Sequence, residues 1–352
     1  MDINIITPIN PLGYGVAGLN LLTALAKDNR VCLFPIGQVE IDPSVDKKIL
    51  QDAYQNSSEF VYDAPSIKIW HQNDMAQSVG KGRRIGFPFF ELNKFTKLEI
   101  HHLNSLDTIF VTSDWYKQII MNETSIRDVQ VIPLGVNTKI FKPKEHKFSD
   151  KTIFFNCGKW EIRKGHDILH ELFNDAFEKD DDVELWVMPH NPFITENEEK
   201  EWHDMYKNTK LGDKIRFINR VKTHEEVYNI MCNVDCGIFP SKAEGWNLEL
   251  LEMLACGKQV ITTNYSAHTE FCNSQNSFLV NIEKNEIAYD GKWFNGKVGE
   301  WACIDKSEKD QFIEHMRNVH NNKKFNQSGV DTAQKFTWQH SANKVVKVCS
   351  IS

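Results

Sequence analysis

The chain has 352 residues, 41% hydrophobic and 25% charged, with a formal net charge of −7. That length suits two domains of ordinary soluble composition. The first 150 residues are close to neutral and the excess acid lies beyond them, which excludes the basic face of a nucleic-acid binder and gives no pull toward anionic lipid.

No apolar run approaches the roughly 18 residues a membrane-spanning helix needs, so any membrane contact is expected to be peripheral. Met1-Asp2-Ile3-Asn4-Ile5-Ile6 enters a strand at once and does not read as a signal peptide. The eight cysteines are scattered, and Cys232 and Cys236 straddle a helix end and a strand. Packed thiols in a reducing, cytoplasmic setting are expected, not disulfides or zinc.

Taken in order, Asn4–Thr7 predicts a strand, residues 8–18 a loop and Leu19–Ala26 a helix. Within the loop, Gly13-Tyr14-Gly15-Val16-Ala17-Gly18 fits the Gly-x-Gly-x-x-Gly pattern of dinucleotide sites, with Glu40 about twenty residues on. An NAD-dependent enzyme is therefore a rival reading, weakened because Pro8–Leu12 separate the first glycine from its strand. Ser66–Trp70 predicts a strand ending in His71-Gln72-Asn73-Asp74. Parallel strands present their C-terminal ends to the ligand crevice, so His71 and Asp74 are candidates for an acceptor or sugar side. Arg84–Glu91 holds another strand and its ending, and Ser113 caps a helix starting at Asp114. Val129–Asn137 closes the first domain. The polar stretch Lys142–Lys151 predicts the linker, giving domains over residues 1–145 and 146–335 and a last helix in 336–352.

In the second domain, Thr152–Cys157 predicts the opening strand, 158–165 a loop and Asp167–Phe177 a helix. Strands follow at Val183–Met188 and Lys214–Ile218, with Asn219-Arg220-Val221 at the end of the latter. The core of the reading is Val234–Phe239 as a buried strand, Glu244-Gly245-Trp246-Asn247 as a tight loop, and Leu248–Cys256 as a helix. Asn247 is its N-cap and Gly257 its left-handed end. Gln259–Thr263 is the next strand, so a parallel α/β sheet is implied. A helix N-terminus presents free amides and partial positive charge, a site for an anion. Gly245 lets a ligand approach the backbone. Carboxylates on either side of such a site suit sugar hydroxyls better than phosphate. The spacing suggests a sugar nucleotide: sugar at Glu244, diphosphate at the amides of Gly245, Trp246, Asn247 and Leu248, ribose at Glu252.

The segment Phe239–Gly257, with Phe-Pro-Ser before Glu244 and Ala-Cys-Gly after Glu252, resembles the donor-binding motif of retaining glycosyltransferases of family 4. The resemblance implies the GT-B architecture, two Rossmann-like domains facing an interdomain cleft. It implies a basic pair, Arg163 and Lys164, on the donor diphosphate, with Lys159 where many relatives have arginine. It places Gly13 and Gly15 near the donor phosphates and Arg220 and Val221 beside the nucleobase. Relatives often carry a histidine at the second strand end of the first domain. This chain has Phe87-Pro88-Phe89 there, and Glu91 resembles a glutamate that some relatives carry. The activity implied is retaining transfer of a sugar, a hexose by expectation, to a hydroxyl of a saccharide or other acceptor. Front-face displacement needs no cofactor and no metal, with Glu244 supporting positive charge on the sugar. A GT-B sugar-nucleotide epimerase shares the architecture and would act without an acceptor, and a non-catalytic nucleotide-sugar binding module would bind without turnover.

Overall fold

The structure is a computed structural model and describes residues 1–43, 45–144 and 148–350. Packing divides the chain into two units, Met1–Val136 with Lys335–Ser352, and Asn137–Gln334. The polar stretch Lys142–Lys151 falls within the second unit, with 145–147 outside the described residues.

The first unit runs β1 (Asp2–Thr7), α1 (Gly13–Leu25), β2 (Arg30–Pro35), α2 (Lys47–Asn56), β3 (Ser66–Lys68), β4 (Arg84–Gly86), α3 (Lys97–Asn104), β5 (Thr108–Val111), α4 (Asp114–Glu123) and β6 (Val129–Val131). Its six strands lie in the order β2-β1-β3-β4-β5-β6, all parallel. Ser113 caps α4 as expected, accepting from the Tyr116 amide.

The glycine-rich stretch departs from expectation: it is the first turns of α1, not a loop. The Asn10 side-chain oxygen accepts from the Leu12 amide at 3.0 Å and turns the chain early, and Val16 N–H already bonds back to Leu12. A Cβ on Gly15 would lie 2.2 Å from the Asn10 carbonyl oxygen, and one on Gly18 2.1 Å from Thr7 Oγ1. These glycines let the helix lie directly on the end of β1, a packing demand that outweighs their poor helix propensity. Gly15 and Gly18 are thereby committed to packing, while Gly13 is exposed with open space where a Cβ would stand.

The second unit runs β7 (Thr152–Gly158), α5 (His166–Ala176), β8 (Val183–Pro189), α6 (Glu196–Lys207), β9 (Ile215–Phe217), α7 (His224–Cys232), β10 (Cys236–Phe239), α8 (Leu248–Ala255), β11 (Gln259–Asn264), β12 (Phe278–Asn281), β13 (Asn285–Tyr289), β14 (Asn295–Ala302), α9 (Lys306–Asn321) and α10 (Gln327–Lys335). Its main sheet has the order β12-β11-β10-β7-β8-β9, again parallel. The apolar strands need cover on both faces. Phe154, Leu169, Leu185, Ile238, Ile261 and Phe312 are fully buried in one cluster. The antiparallel hairpin β13–β14 stands apart from this sheet and was not anticipated. The chain then returns to the first unit as α11 (Trp338–Cys349), which packs along α1; Ser341 Oγ donates to the Pro133 carbonyl at 2.6 Å.

Among the described residues no helix is long and apolar enough to cross a membrane. Cys232 and Cys236 are buried free thiols.

Candidate active site

Each sheet reverses its winding at one place, and ligands of doubly wound folds bind at the C-terminal strand ends there. In the second unit the reversal lies between the neighbours β7 and β10. The loops leaving these two strands are 159–164 and 240–247. They press together: Gly165 has φ +76°, and a Cβ there would lie 2.1 Å from the Pro240 carbonyl oxygen. Only glycine meets both conditions without strain.

The two loops are joined by a chain of ion pairs. Lys159 Nζ lies 2.6 Å from Glu161 Oε1, and Arg163 reaches Glu161 Oε2 at 2.7 Å and Glu244 Oε2 at 3.0 Å. Lys164 Nζ donates to Glu244 Oε1 at 2.8 Å, and Ser241 Oγ donates to the same oxygen at 3.0 Å. Arg163 also donates to the Ala243 carbonyl at 2.8 Å. The Glu244 amide donates to Ser266 Oγ at 3.0 Å. Burial alone would raise the Glu244 pKa, but Lys164 and Arg163 outweigh it and hold the carboxyl far below the usual range. Glu244 is thus a buried carboxylate whose ionised form is favoured by its two cations. Burial works against the Lys164 ammonium in turn, and Glu244 and Glu249 keep it charged. Arg163 is enclosed, whereas the Lys164 side chain keeps 13% exposure.

After Glu244 the chain makes a tight turn into α8. Asn247 takes the left-handed conformation, φ 84°, which asparagine tolerates better than most residues. Its Oδ1 caps the Leu250 amide at 3.1 Å. The amides of Leu248 and Glu249, which precede any possible intrahelical acceptor, have no hydrogen-bond partner among the described residues. One turn on, Glu252 is buried with no side-chain hydrogen-bond partner among the described residues, and burial and then Glu249 raise its pKa well above the usual range. The Cys157 thiol at the end of β7 is raised by burial and by Glu249 and Glu252, and lowered by Lys164 and Arg220, which ties these groups into one electrostatic neighbourhood. Trp246 is buried with its ring 4.7 Å from Phe271, so its side chain serves the interior. Arg220 is exposed and Val221 half-buried, in the loop after β9.

Sequence reasoning passed over Glu161, Ser241, Ser266, His268 and Cys157. Their one common signal is position at or just past the end of a parallel strand. His268 is buried, with Nε2 accepting from Asn247 Nδ2 at 3.0 Å and Nδ1 donating to the Thr263 carbonyl at 3.1 Å. Burial, partly opposed by Glu244, lowers its pKa to about 4. An unfolded histidine titrates near 6.5. The folded pKa is therefore depressed, and stability is present above pH 6.5 and lost as pH falls toward 4. Around pH 5, His268→Gln should flatten the slope of unfolding free energy against pH by about 1.4 kcal/mol per pH unit. Parallel slopes in urea titrations at several pH values would contradict this.

In the first unit the winding reverses between β1 and β3. Tyr14, on the first turn of α1, gathers the groups there. Its hydroxyl donates to the Phe89 carbonyl at 2.8 Å and accepts from the Phe89 amide at 3.0 Å. Its ring stacks on Phe89 at 4.7 Å and meets His71 edge-on at 4.8 Å. Burial and then Glu91 raise the Tyr14 pKa well above its usual value. His71, Glu91, Gly13 and Gly15 are therefore near neighbours of one tyrosine that the sequence did not single out. Asp74 is instead paired with Lys68 at 3.3 Å.

Residues 137–289 match the family model described as Glycosyl transferases group 1. The phosphatidylinositol N-acetylglucosaminyltransferase GPI3 subunit of Saccharomyces cerevisiae is 26% identical over 202 residues, 54% of this chain and 43% of that protein. A GDP-mannose-dependent alpha-(1-6)-phosphatidylinositol dimannoside mannosyltransferase of Mycobacterium tuberculosis is 22% identical over 191 residues, 52% of this chain and 48% of that one. The chain thus spans less than half the length of these curated relatives. Among solved structures, sucrose-phosphate synthase from Thermosynechococcus elongatus aligns over 99% of this chain and 98% of its own, with TM-score 0.73 and 14% identity. Anabaena HepE, solved with UDP and glucose, aligns over 99% of both chains with TM-score 0.71 and 14% identity. These likenesses carry the fold: two Rossmann-like units in one chain, the GT-B class.

Proposed function

On the premise that residues 137–289 are a glycosyl transferases group 1 module, we propose that this protein moves a hexosyl group from a nucleotide-diphosphate sugar to an acceptor hydroxyl, with retention of anomeric configuration. The observation that carries the reading is the Glu244 carboxylate, ionised by Arg163 and Lys164 and set just ahead of the open Leu248 and Glu249 amides. A diphosphate fits those amides and the Lys164 ammonium. Glu252, buried and without a side-chain partner among the described residues, is suited to accept from the ribose hydroxyls. The sugar then lies toward Glu244.

In front-face displacement the bond from the anomeric carbon to the phosphate oxygen breaks as the acceptor oxygen bonds on the same face. The acceptor proton passes to the departing phosphate oxygen. Positive charge develops on the sugar, and a fixed carboxylate stabilises it without reorganising. Lys164 and the α8 amides receive the charge of the leaving diphosphate, a role elsewhere given to a metal. The eight free cysteines accord with a reducing cytoplasm. Against the dinucleotide reading, Asn10 and Thr7 occupy the space at Gly15 and Gly18.

The test is a thermal-shift panel of UDP-, GDP- and ADP-sugars with EDTA present throughout. A donor at about 100 times its Kd should stabilise the fold by roughly 2.7 kcal/mol. No response to any of the three, or a response that needs added magnesium or manganese, would overturn the reading or its metal independence.

Glu252 makes a separate expectation. Its raised pKa means the carboxyl holds its proton above the usual range when no ligand is bound, while ribose hydroxyls favour the ionised form. Affinity for the nucleoside diphosphate should fall on acidification, beginning above the ordinary carboxylate range. Glu252→Gln should lose roughly one order of magnitude in affinity, the scale of a charge-assisted hydrogen bond, together with that pH dependence. Calorimetry showing an unchanged Kd would remove Glu252 from the site.

A further inference from the structure

The hairpin β13–β14 turns an unusual face inward. Ala288 on one strand and Trp301 on the other are buried, with the half-exposed Glu286 on the same face, while Ile287 and Tyr289 point out, each 63% exposed. The Glu286 carboxylate is half-exposed and takes two bonds on its inner side. Glu286 Oε1 accepts from Lys242 Nζ at 2.8 Å and from Trp301 Nε1 at 3.0 Å, and Lys242 Nζ lies 5.5 Å above the Trp301 ring. The backbone repeats the attachment: the Ala302 amide donates to the Lys242 carbonyl at 2.9 Å, and the Lys242 amide donates to the Arg163 carbonyl at 2.7 Å.

Lys242 stands two residues before Glu244 and next to Ser241, whose hydroxyl bonds the Glu244 carboxylate. The other side of the loop is held by the sheet, where Thr263 Oγ1 donates to the Ser241 carbonyl at 2.7 Å. We propose that the hairpin braces the loop carrying Glu244, with Glu286 and Lys242 as positioning residues for its carboxylate. This rests on the reading of Glu244 given above. An ion pair whose carboxylate is 37% exposed adds little stability, but together with the Trp301 bond and the backbone bonds it fixes where Lys242 lies. The geometry also has a competitor. Asp167, on the first turn of α5, lies 3.8 Å from Lys242 through Oδ2, and its Oδ1 is buried without a hydrogen-bond partner. With Glu286 gone, Lys242 is drawn toward Asp167 and the loop shifts with it.

The experiment compares Glu286→Ala, Glu286→Gln, Lys242→Met and the Glu286→Ala/Lys242→Met double variant with the parent protein. Three quantities are read: turnover of the donor that best stabilises the parent, with water as acceptor; Kd for UDP and GDP; and amide hydrogen exchange in a peptide covering 240–247. Glu286→Ala and Lys242→Met should each lower kcat about tenfold and speed exchange in that peptide, and the double variant should be no worse than either, as coupled neighbours behave. Glu286→Gln, which still accepts from Trp301 and Lys242, should recover most of the rate. Nucleotide Kd should stay within about twofold, because the diphosphate contacts are not moved. Unchanged turnover and exchange would overturn the brace. So would rate and nucleotide affinity falling together with glutamine no better than alanine, the mark of a merely structural role. If the parent protein binds no nucleotide, the functional reading fails, and exchange at 240–247 still decides whether the hairpin orders the loop.

Discussion

Glu244→Ala is expected to lower sugar transfer by about 10²–10³-fold, the cost of removing one fixed electrostatic group from a transition state. The proposed charge on the sugar exists only while the anomeric bond is breaking, so the loss should fall on kcat more than on ground-state binding. Nucleoside diphosphate affinity should hold or tighten. Lys164 now shares its charge with Glu244, and without that partner its ammonium is left for the diphosphate, while Arg163 stays with Glu161. Glu244→Gln separates shape from charge: it can keep the Ser241 bond yet should remain slow. Initial rates and diphosphate titrations on the same preparations provide the check. Transfer near the parent rate, or affinity falling as far as rate, would take Glu244 out of the proposed role and favour a binding module.

The second large effect is on folding. Arg163 is enclosed and joins Glu161, Glu244 and the Ala243 carbonyl. Arg163→Met leaves two buried carboxylates short of a cation, a situation that typically costs about 3–5 kcal/mol. Arg163→Lys should recover little, since one ammonium on a flexible stem lacks the planar fork that serves three oxygens at once. Lys164→Met, at the rim, should cost distinctly less stability and more diphosphate affinity. Urea unfolding of the second unit by tryptophan fluorescence measures the first quantity and calorimetry the second. A loss below about 1 kcal/mol for Arg163→Met would mean the network is not held as described.

What was legible beforehand was local. Strands with continuous apolar runs, the Ser113 and Asn247 caps and the Gly257 helix end announce themselves within a few residues, and all three are present. The glycines of α1 misled because their reason is not local: it is the closeness of Asn10 and Thr7. The hairpin was missed because its large apolar residues Ile287 and Tyr289 lie outside, while the inner face of that strand holds only the small Ala288 and the half-exposed Glu286. Alternation is read as apolar inward, so a strand that exposes its large apolar residues looks like a loop. The site was visible as a set of residue types but not as a network. Nothing in the spacing says that Glu161 and Glu244 share Arg163, since their meeting depends on two loops that only the sheet order brings together.

The return of the chain to its first unit has a consequence for synthesis. The second unit is an interruption: its 137–334 segment leaves the ribosome as one continuous piece and can close its own core while still tethered. The first unit cannot do the same. The α1 face that α11 covers, and the Pro133 carbonyl that takes the Ser341 hydroxyl, wait for residues made after the whole of the second unit. Vectorial synthesis usually lets the N-terminal domain fold first. Here the first unit is completed only after the second has been made, and until then the face of α1 that α11 covers stays open for chaperones to guard.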